Sequence, residues 1–145
     1  MVQILILLAA LAVATTAGLL LRQRSGKVRA APAAAAVPAQ LGELVAASTG
    51  PLVLHFSAPW CRPCDAVRRV VSDVVAELSA APHPPHDVEL DIDENSTLAK
   101  ELGVLSLPST FIFDAAATTR FRISGVPKAS ELRAALWRLA HPVAE

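Results

Sequence analysis

The first thing this 145-residue chain lacks is a charge imbalance: 13 Lys and Arg offset 13 Asp and Glu, for a formal net charge of zero. A nucleic-acid-binding domain ordinarily presents a basic face, and nothing in this balance supplies one. Cysteine is nearly absent, with two residues in all, Cys61 and Cys64. A small secreted domain stapled by disulfides needs more cysteines, spaced further apart, so this close pair points to chemistry rather than scaffolding. Aromatic residues make up only 4% although 53% of the chain is apolar. The excess is aliphatic and Ala-rich, and it is concentrated at the N-terminus. Without that segment the composition is that of an ordinary globular domain, and the length fits one domain plus an appendage.

The N-terminal stretch lacks charged side chains from residue 1 to 21, and no Lys or Arg precedes the run Ile4, Leu5, Ile6, Leu7, Leu8. About 20 apolar residues suffice to cross a bilayer as a helix, because the helix satisfies its own backbone polar groups. A secretory signal would place basic residues ahead of a shorter apolar core and end in a small-residue cleavage site. Here the cations Arg22, Arg24, Lys27 and Arg29 follow the run instead. That order predicts a retained single-span anchor over 1–21. Flanks rich in Lys and Arg stay cytoplasmic, which predicts the N-terminus outside and the soluble domain on the cytoplasmic side of the membrane. The alternative is a leader-type segment with an extracytoplasmic domain. Residues 22–40 read as a basic stretch followed by an Ala/Pro-rich linker, in which Pro32 and Pro38 interrupt any helix. Residues 41–145 form the folded domain, and no internal repeat is visible.

Within that domain the pattern alternates between element types. Leu41, Leu44 and Val45 recur at helical spacing before Gly50 and Pro51. Leu52, Val53, Leu54, His55 and Phe56 form a short apolar run bounded by turn residues, which suits a buried strand. Val67, Val70, Val71, Val74, Val75 and Leu78 step by three and four, giving one apolar stripe on a helix from about 61 to 80. Valine is a poor intrinsic helix former, so burial must hold this helix; Pro63 falls in its first turn, where a missing N–H costs nothing. Val88, Leu90 and Ile92 alternate with Glu89 and Asp91, a strand pattern. Asn95 or Ser96 is placed to cap a helix through about 102 that Gly103 ends. Residues 110–113 and 118–123 predict an antiparallel hairpin, although its connection lacks the Gly such turns favour. Ser130 is placed to cap a final helix with Leu132, Leu136, Trp137 and Leu139 on an apolar stripe. This order predicts an α/β fold, a central mixed sheet flanked by helices on both faces.

The chemistry is concentrated in Phe56, Ser57, Ala58, Pro59, Trp60, Cys61, Arg62, Pro63 and Cys64, at a strand-to-helix junction. Cys61 falls at the helix N-terminus, where unpaired N–H groups and the positive dipole end favour a thiolate. Cys64 lies one turn on, on the same face and within disulfide reach. Arg62 adds a nearby cation. A low-pKa thiol beside a resolving thiol is what disulfide exchange requires.

These residues resemble the thioredoxin family, whose Trp-Cys-Gly-Pro-Cys pattern appears as Trp60, Cys61, Arg62, Pro63, Cys64. The family's cis-proline, which lies against the cysteines and accepts substrate backbone, matches Leu107-Pro108, and the glycine after its last strand matches Gly125. The resemblance covers roughly residues 41–140. The related extracytoplasmic reductases of cytochrome c maturation carry an insertion between the active-site helix and the cis-proline, for which this chain has little room. The resemblance implies a thioredoxin fold and a thiol–disulfide oxidoreductase without cofactor or metal. It implies that Trp60, Arg62, Pro63, Leu107, Pro108 and Gly125 contact substrate. The implied partners are protein disulfides or dithiols and an unidentified redox-recycling protein.

Two departures stand out. Where the family has a buried Asp six residues before the first cysteine, this chain has His55, and where it has a Lys on the adjacent strand, Glu89 aligns. Acid and base have changed places, which makes His55 and Glu89 candidate catalytic residues. The family's buried group helps deprotonate the second cysteine, and an imidazole, titrating near 6.5 in water, can do so at neutral pH. The competing reading is a neutral core histidine bonded to Glu89 or to backbone. Arg62 in place of Gly would stabilise the thiolate and make the disulfide more oxidising; alternatively it extends into solvent and tunes little.

Two other functions compete with this one. Cys61, Cys64, His83 and His86 superficially spell a zinc site, but the intervening helix, at about 1.5 Å per residue, separates the pairs by about 27 Å, far beyond the reach of one metal. A tethered binding module with the same fold would use the cis-proline surface without turnover, and such an adaptor would need neither cysteine.

Overall fold

The computed structural model describes residues 2–31 and 38–142. In chain order the elements are α1 (Val2–Arg24), β1 (Arg29–Ala30), α2 (Ala39–Ala46), β2 (Leu52–Ser57), α3 (Arg62–Glu77), β3 (His86–Asp91), α4 (Ser96–Glu101), β4 (Ser109–Phe113), β5 (Thr119–Ser124) and α5 (Ala129–Ala140). The sheet order is β1-β5-β4-β2-β3; β2 and β3 run parallel, and every other neighbouring pair is antiparallel. This is the mixed sheet expected from the order of elements.

Every residue of β2 is buried because helices cover both faces of this interior strand. On one face Val53, Ile112 and Ile123 pack beneath α3 and α5, against Val67, Val71, Val74, Leu132 and Leu136. On the other, Leu52, Leu54, Phe56, Phe111 and Phe113 pack against Leu41 and Val45 of α2 and Leu98 and Ala99 of α4. Along the stripe of α3, Val67, Val71, Val74 and Leu78 are buried and Val70 and Val75 partly so, which offsets the unfavourable propensity of the valines. Helix α4 ends as its sequence predicts: Gly103 takes φ +63°, its N–H reaches the Lys100 carbonyl, and the Val104 N–H reaches that of Ala99. This double closure satisfies carbonyls the helix leaves unpaired.

Several expectations are corrected. Helix α3 runs from Arg62 to Glu77, with Cys61 as its N-cap, rather than reaching residue 80. Lys128, not Ser130, occupies the N-cap of α5, so Ser130 lies inside the first turn. Trp137, read as core, is 54% exposed and stacks on His141 with ring centroids 3.8 Å apart; the apolar stripe of α5 is narrower than its composition suggested. Asn95 occupies the N-cap of α4 but makes no side-chain cap; its amide donates to the Asp91 carbonyl instead. Residues 22–40, read as a linker, contain ordered pieces: α1 continues to Arg24, Arg29–Ala30 pairs with β5, and α2 begins at Ala39. The part of that linker from 32 to 37, including Pro32, lies outside the described residues. The glycine-free hairpin closes with Ala117 at φ +59°, held by Asp114, whose Oδ1 accepts from the N–H groups of Ala116 and Thr118.

Candidate active site

Strand β2 stops at Ser57, and the chain turns through Ala58, Pro59 and Trp60 before α3 begins. The Cys61 N–H closes this turn on the Ala58 carbonyl at 3.0 Å, and the Cys64 N–H reaches the Cys61 carbonyl at 3.1 Å. One helical turn therefore brings the cysteines to a Cα–Cα distance of 5.4 Å, and they are joined as a disulfide. Cys61 is the outer of the two at 7% exposure, against 2% for Cys64. Trp60 stands out beside them, 70% exposed, and Arg62 and Pro63 are exposed as well.

The second wall of the site comes from the loop before β4. Leu107 packs against the cluster of Ala58, Cys61 and Cys64, and the Leu107–Pro108 peptide is cis. The Pro108 carbonyl accepts the Gly125 N–H at 2.9 Å, which ties the proline loop to the end of β5. Gly125 has φ +92°, a conformation that disfavours side chains. Trp60, Cys61, Arg62, Pro63, Cys64, Leu107, Pro108 and Gly125 thus meet at one end of the sheet. Beside the disulfide, Trp60, Ile92, Ala99, Val104, Leu105 and Leu107 line an open groove of about 360 Å³.

His55 and Glu89 stand opposite each other in the β2–β3 register, but they are not partners in the way the sequence suggested. Arg68, one turn beyond Cys64 on α3, grips the Glu89 carboxylate with two bonds of 2.8 and 2.6 Å. This grip is the main reason that the Glu89 carboxyl is lowered to about 2, with Ser57 and the nearby His55 also lowering it. The carboxylate next to His55 belongs to Asp87, whose Oδ1 lies 3.1 Å from Nε2. Among the described residues, neither that Nε2 nor the buried Thr110 Oγ1 across on β4 has a hydrogen bond of good geometry. Asp87, Thr110 and Arg68 carry no local sequence signal that marks them as site residues. The alternation of β3 puts Asp87, Glu89 and Asp91 on one face, but only the strand register shows which of them lies beside His55.

His86 faces Leu52, at the far end of β2 from the disulfide, and its Nε2 accepts the Thr49 N–H. Among the described residues no group of three or more His, Cys, Asp or Glu side chains is placed to hold a metal ion.

The family described as Thioredoxin matches residues 33–138. Thioredoxin from Pyropia yezoensis is 35% identical over 80 residues, covering 55% of this chain and 72% of that one. Thioredoxin 1 of Synechococcus elongatus is 32% identical over 96 residues, 66% of this chain and 87% of its own length. The solved structure of a chloroplastic thioredoxin z superposes with a TM-score of 0.59 at 27% identity, over 69% of this chain and 87% of that one. Because the family match spans most of the chain and the redox pair stands where the thioredoxin pattern requires it, this protein belongs to the thioredoxin family and is a thiol–disulfide oxidoreductase.

Proposed function

We propose that the protein is a membrane-tethered oxidoreductase that exchanges disulfides with other proteins through Cys61 and Cys64. The observation that carries this reading is the disulfide itself, joined at the N-cap of α3 with Trp60 and the Pro108 loop beside it. In the reducing direction the Cys61 thiolate attacks one sulfur of a partner disulfide, forming a mixed disulfide and releasing the partner's other sulfur as a thiolate that takes up a proton. The Cys64 thiolate then attacks the Cys61 sulfur, the partner leaves as a dithiol, and Cys61–Cys64 is oxidised. Two electrons have moved to the partner, and a second protein dithiol restores them. The reverse sequence oxidises a partner dithiol.

Trp60, Arg62, Pro63, Leu107, Pro108 and Gly125 form the surface that receives the partner, with the groove beside Leu105 accepting its apolar residues. His55, buried on β2, takes the proton from Cys64 during resolution. Glu89 acts at one remove, holding Arg68 over this part of β3. Helix α1 is the tether: the stretch Val2–Leu20 is long and apolar enough to cross a membrane, as signal sequences near an N-terminus also are, with a mean hydropathy of 2.2. The cations that follow it favour a cytoplasmic domain, where a thioredoxin-reductase system is the natural electron donor; an outward-facing domain would instead serve maturation or repair of exported proteins.

The test is twofold. The full chain with dithiothreitol should accelerate insulin reduction and Cys61→Ser should not, while Cys64→Ser should trap partner proteins covalently in membranes. Insulin reduction no faster than dithiothreitol alone would remove the enzymatic reading. A fluorescent reporter fused behind the full chain should light up; phosphatase activity from the same position would reverse the orientation.

A further inference from the structure

The membrane helix joins the domain with almost no slack, and it joins at the sulfur end. Helix α1 ends at Arg24, and two residues later the Gly26 N–H donates to the Ser124 carbonyl at 2.6 Å. Gly26 is buried at φ +77°, so close that a Cβ there would lie 2.1 Å from the Val126 carbonyl oxygen; a Cβ on Gly125 would lie 3.2 Å from the Gly26 nitrogen. From this junction the chain is fastened along β5. The Val28 N–H reaches Glu131 Oε2 at 3.2 Å, Arg29 and Ala30 pair with Arg122 and Phe121, and the Ala31 N–H reaches the Arg120 carbonyl at 3.0 Å. Val28 also packs against the core beneath α3 and α5.

Ser124 is the end of β5 that faces Ser109, and Ser109 faces Phe56 near the end of β2 that leads into Cys61. The strap therefore attaches on the edge where the disulfide lies. From β5 to β2 is two inter-strand spacings, about 10 Å. The headgroup layer is itself several ångströms deep, being what remains of a bilayer about 40–45 Å thick once a hydrocarbon core of about 30 Å is removed. The same edge carries exposed apolar groups, Trp60, Leu105 at 94% and Val126 at 37%, and Trp is at home at a membrane interface. Lys27 and Arg29 are exposed on the strap, where anionic lipid would attract them.

We propose that residues 25–31 are a docking strap that holds the Cys61–Cys64 edge against the bilayer surface, so that the preferred partner is a membrane protein whose disulfide or dithiol lies next to its own membrane span. The inference rests on the reading of α1 as a retained span and deepens the proposed function. The exchange is the one already written, with two electrons passing between the Cys61–Cys64 pair and the partner pair. What the strap adds is selection by height above the membrane.

The experiment uses the full chain, pre-reduced, in vesicles of mixed zwitterionic and anionic phospholipid, under single-turnover conditions. Two synthetic single-span peptides serve as probes, one with its disulfide directly after the span and one with the disulfide carried on a long Gly/Ser spacer; insulin is the soluble control. A second form of the protein has about 20 Gly/Ser residues inserted between Arg24 and Ser25, enough for a mean reach of about 25 Å while leaving the strap docked. The native chain should reduce the surface-proximal disulfide at least tenfold faster than the spaced one. The insertion should bring that ratio close to one without changing insulin reduction. Equal rates for the two peptides with the native chain, or a ratio the insertion does not alter, would overturn the proposal. Failure of both forms to reduce insulin would overturn the oxidoreductase reading itself, and release of the intact chain from carbonate-washed vesicles would overturn the tether and this inference together.

Discussion

Helices α1 and α3 are both rich in aliphatic residues, yet the molecule uses them in opposite ways. In α3 the valines fall on one stripe, and Val67, Val71 and Val74 are completely buried. In α1 the apolar residues run all the way round: Ile4, Leu5, Ile6 and Leu7 are 61–69% exposed, and none of the stretch Val2–Leu20 is buried. Thr15 and Thr16 return their hydroxyls to carbonyls of their own helix, to Leu11 and Ala12 at 2.8 Å, so the helix satisfies these polar groups itself. The lesson is that apolar content does not decide burial; its angular distribution does. A stripe fits a protein core, whereas a full coat of aliphatic groups asks for lipid.

Substitutions on the two helices sharpen this contrast, in decreasing order of effect. Val71→Asp puts an unpaired carboxylate into a closed core and should cost about 4 kcal/mol or more, seen as loss of the cooperative thermal transition of the domain. Leu11→Asp should leave that transition where it is, because none of Val2–Leu20 is buried, while lowering membrane insertion by about 3 kcal/mol. A shift of the domain's melting temperature on Leu11→Asp would break the comparison.

The outer side of α3 is held by charge, and pH reads it. Arg68 holds the Glu89 carboxyl down to about 2, from an ordinary 4.5. A group that binds its proton less tightly when folded contributes its stabilisation above the unfolded value and loses it as pH falls through the folded one. The domain should therefore lose stability between about pH 4.5 and 2, and Glu89→Gln should flatten that part of the profile, as followed by acid titration of circular dichroism. The slope should be modest, since the Arg68 side chain is half exposed and solvent-screened. An unchanged profile would dissociate the pair from stability. The smallest effect belongs to the N-terminus of α3. Arg62→Gly should make the Cys61–Cys64 couple more reducing by about 10 mV, the scale of an exposed charge interaction; glutathione equilibrium measures it, and an equal or more oxidising variant would remove Arg62 from the account.

Much of the site could be read before the fold was known because its signals are local. Cys61, Pro63 and Cys64 lie within one turn, so helical geometry alone brings the thiols together, and Gly103 ends its helix through its own backbone freedom. His55 is marked by its position six residues before Cys61, where the thioredoxin resemblance places a buried acid. Its neighbour is not: Glu89 and Asp87 share a strand face, and which lies beside His55 depends on strand register and on the reach of Arg68 from α3. Trp137 was misplaced for a similar reason, since the width of a buried stripe depends on what covers it. The strap was hidden because Gly26, Val28 and Arg29 carry no periodic pattern of their own, and only the free edge of β5 makes them a strand.

What the sequence determined by itself was everything that short-range geometry can enforce: the redox pair at a helix start, the alternating elements, and a first helix coated in aliphatic groups. What tertiary structure alone decided was which distant groups meet. It brought Leu107 and its cis peptide to Pro108 up to the cysteine pair, gave Glu89 to Arg68, and fastened the chain behind α1 to the sulfur end of the sheet. Such contacts depend on strand order and register, which are chosen by the burial of whole faces at once and not by any single stretch of residues.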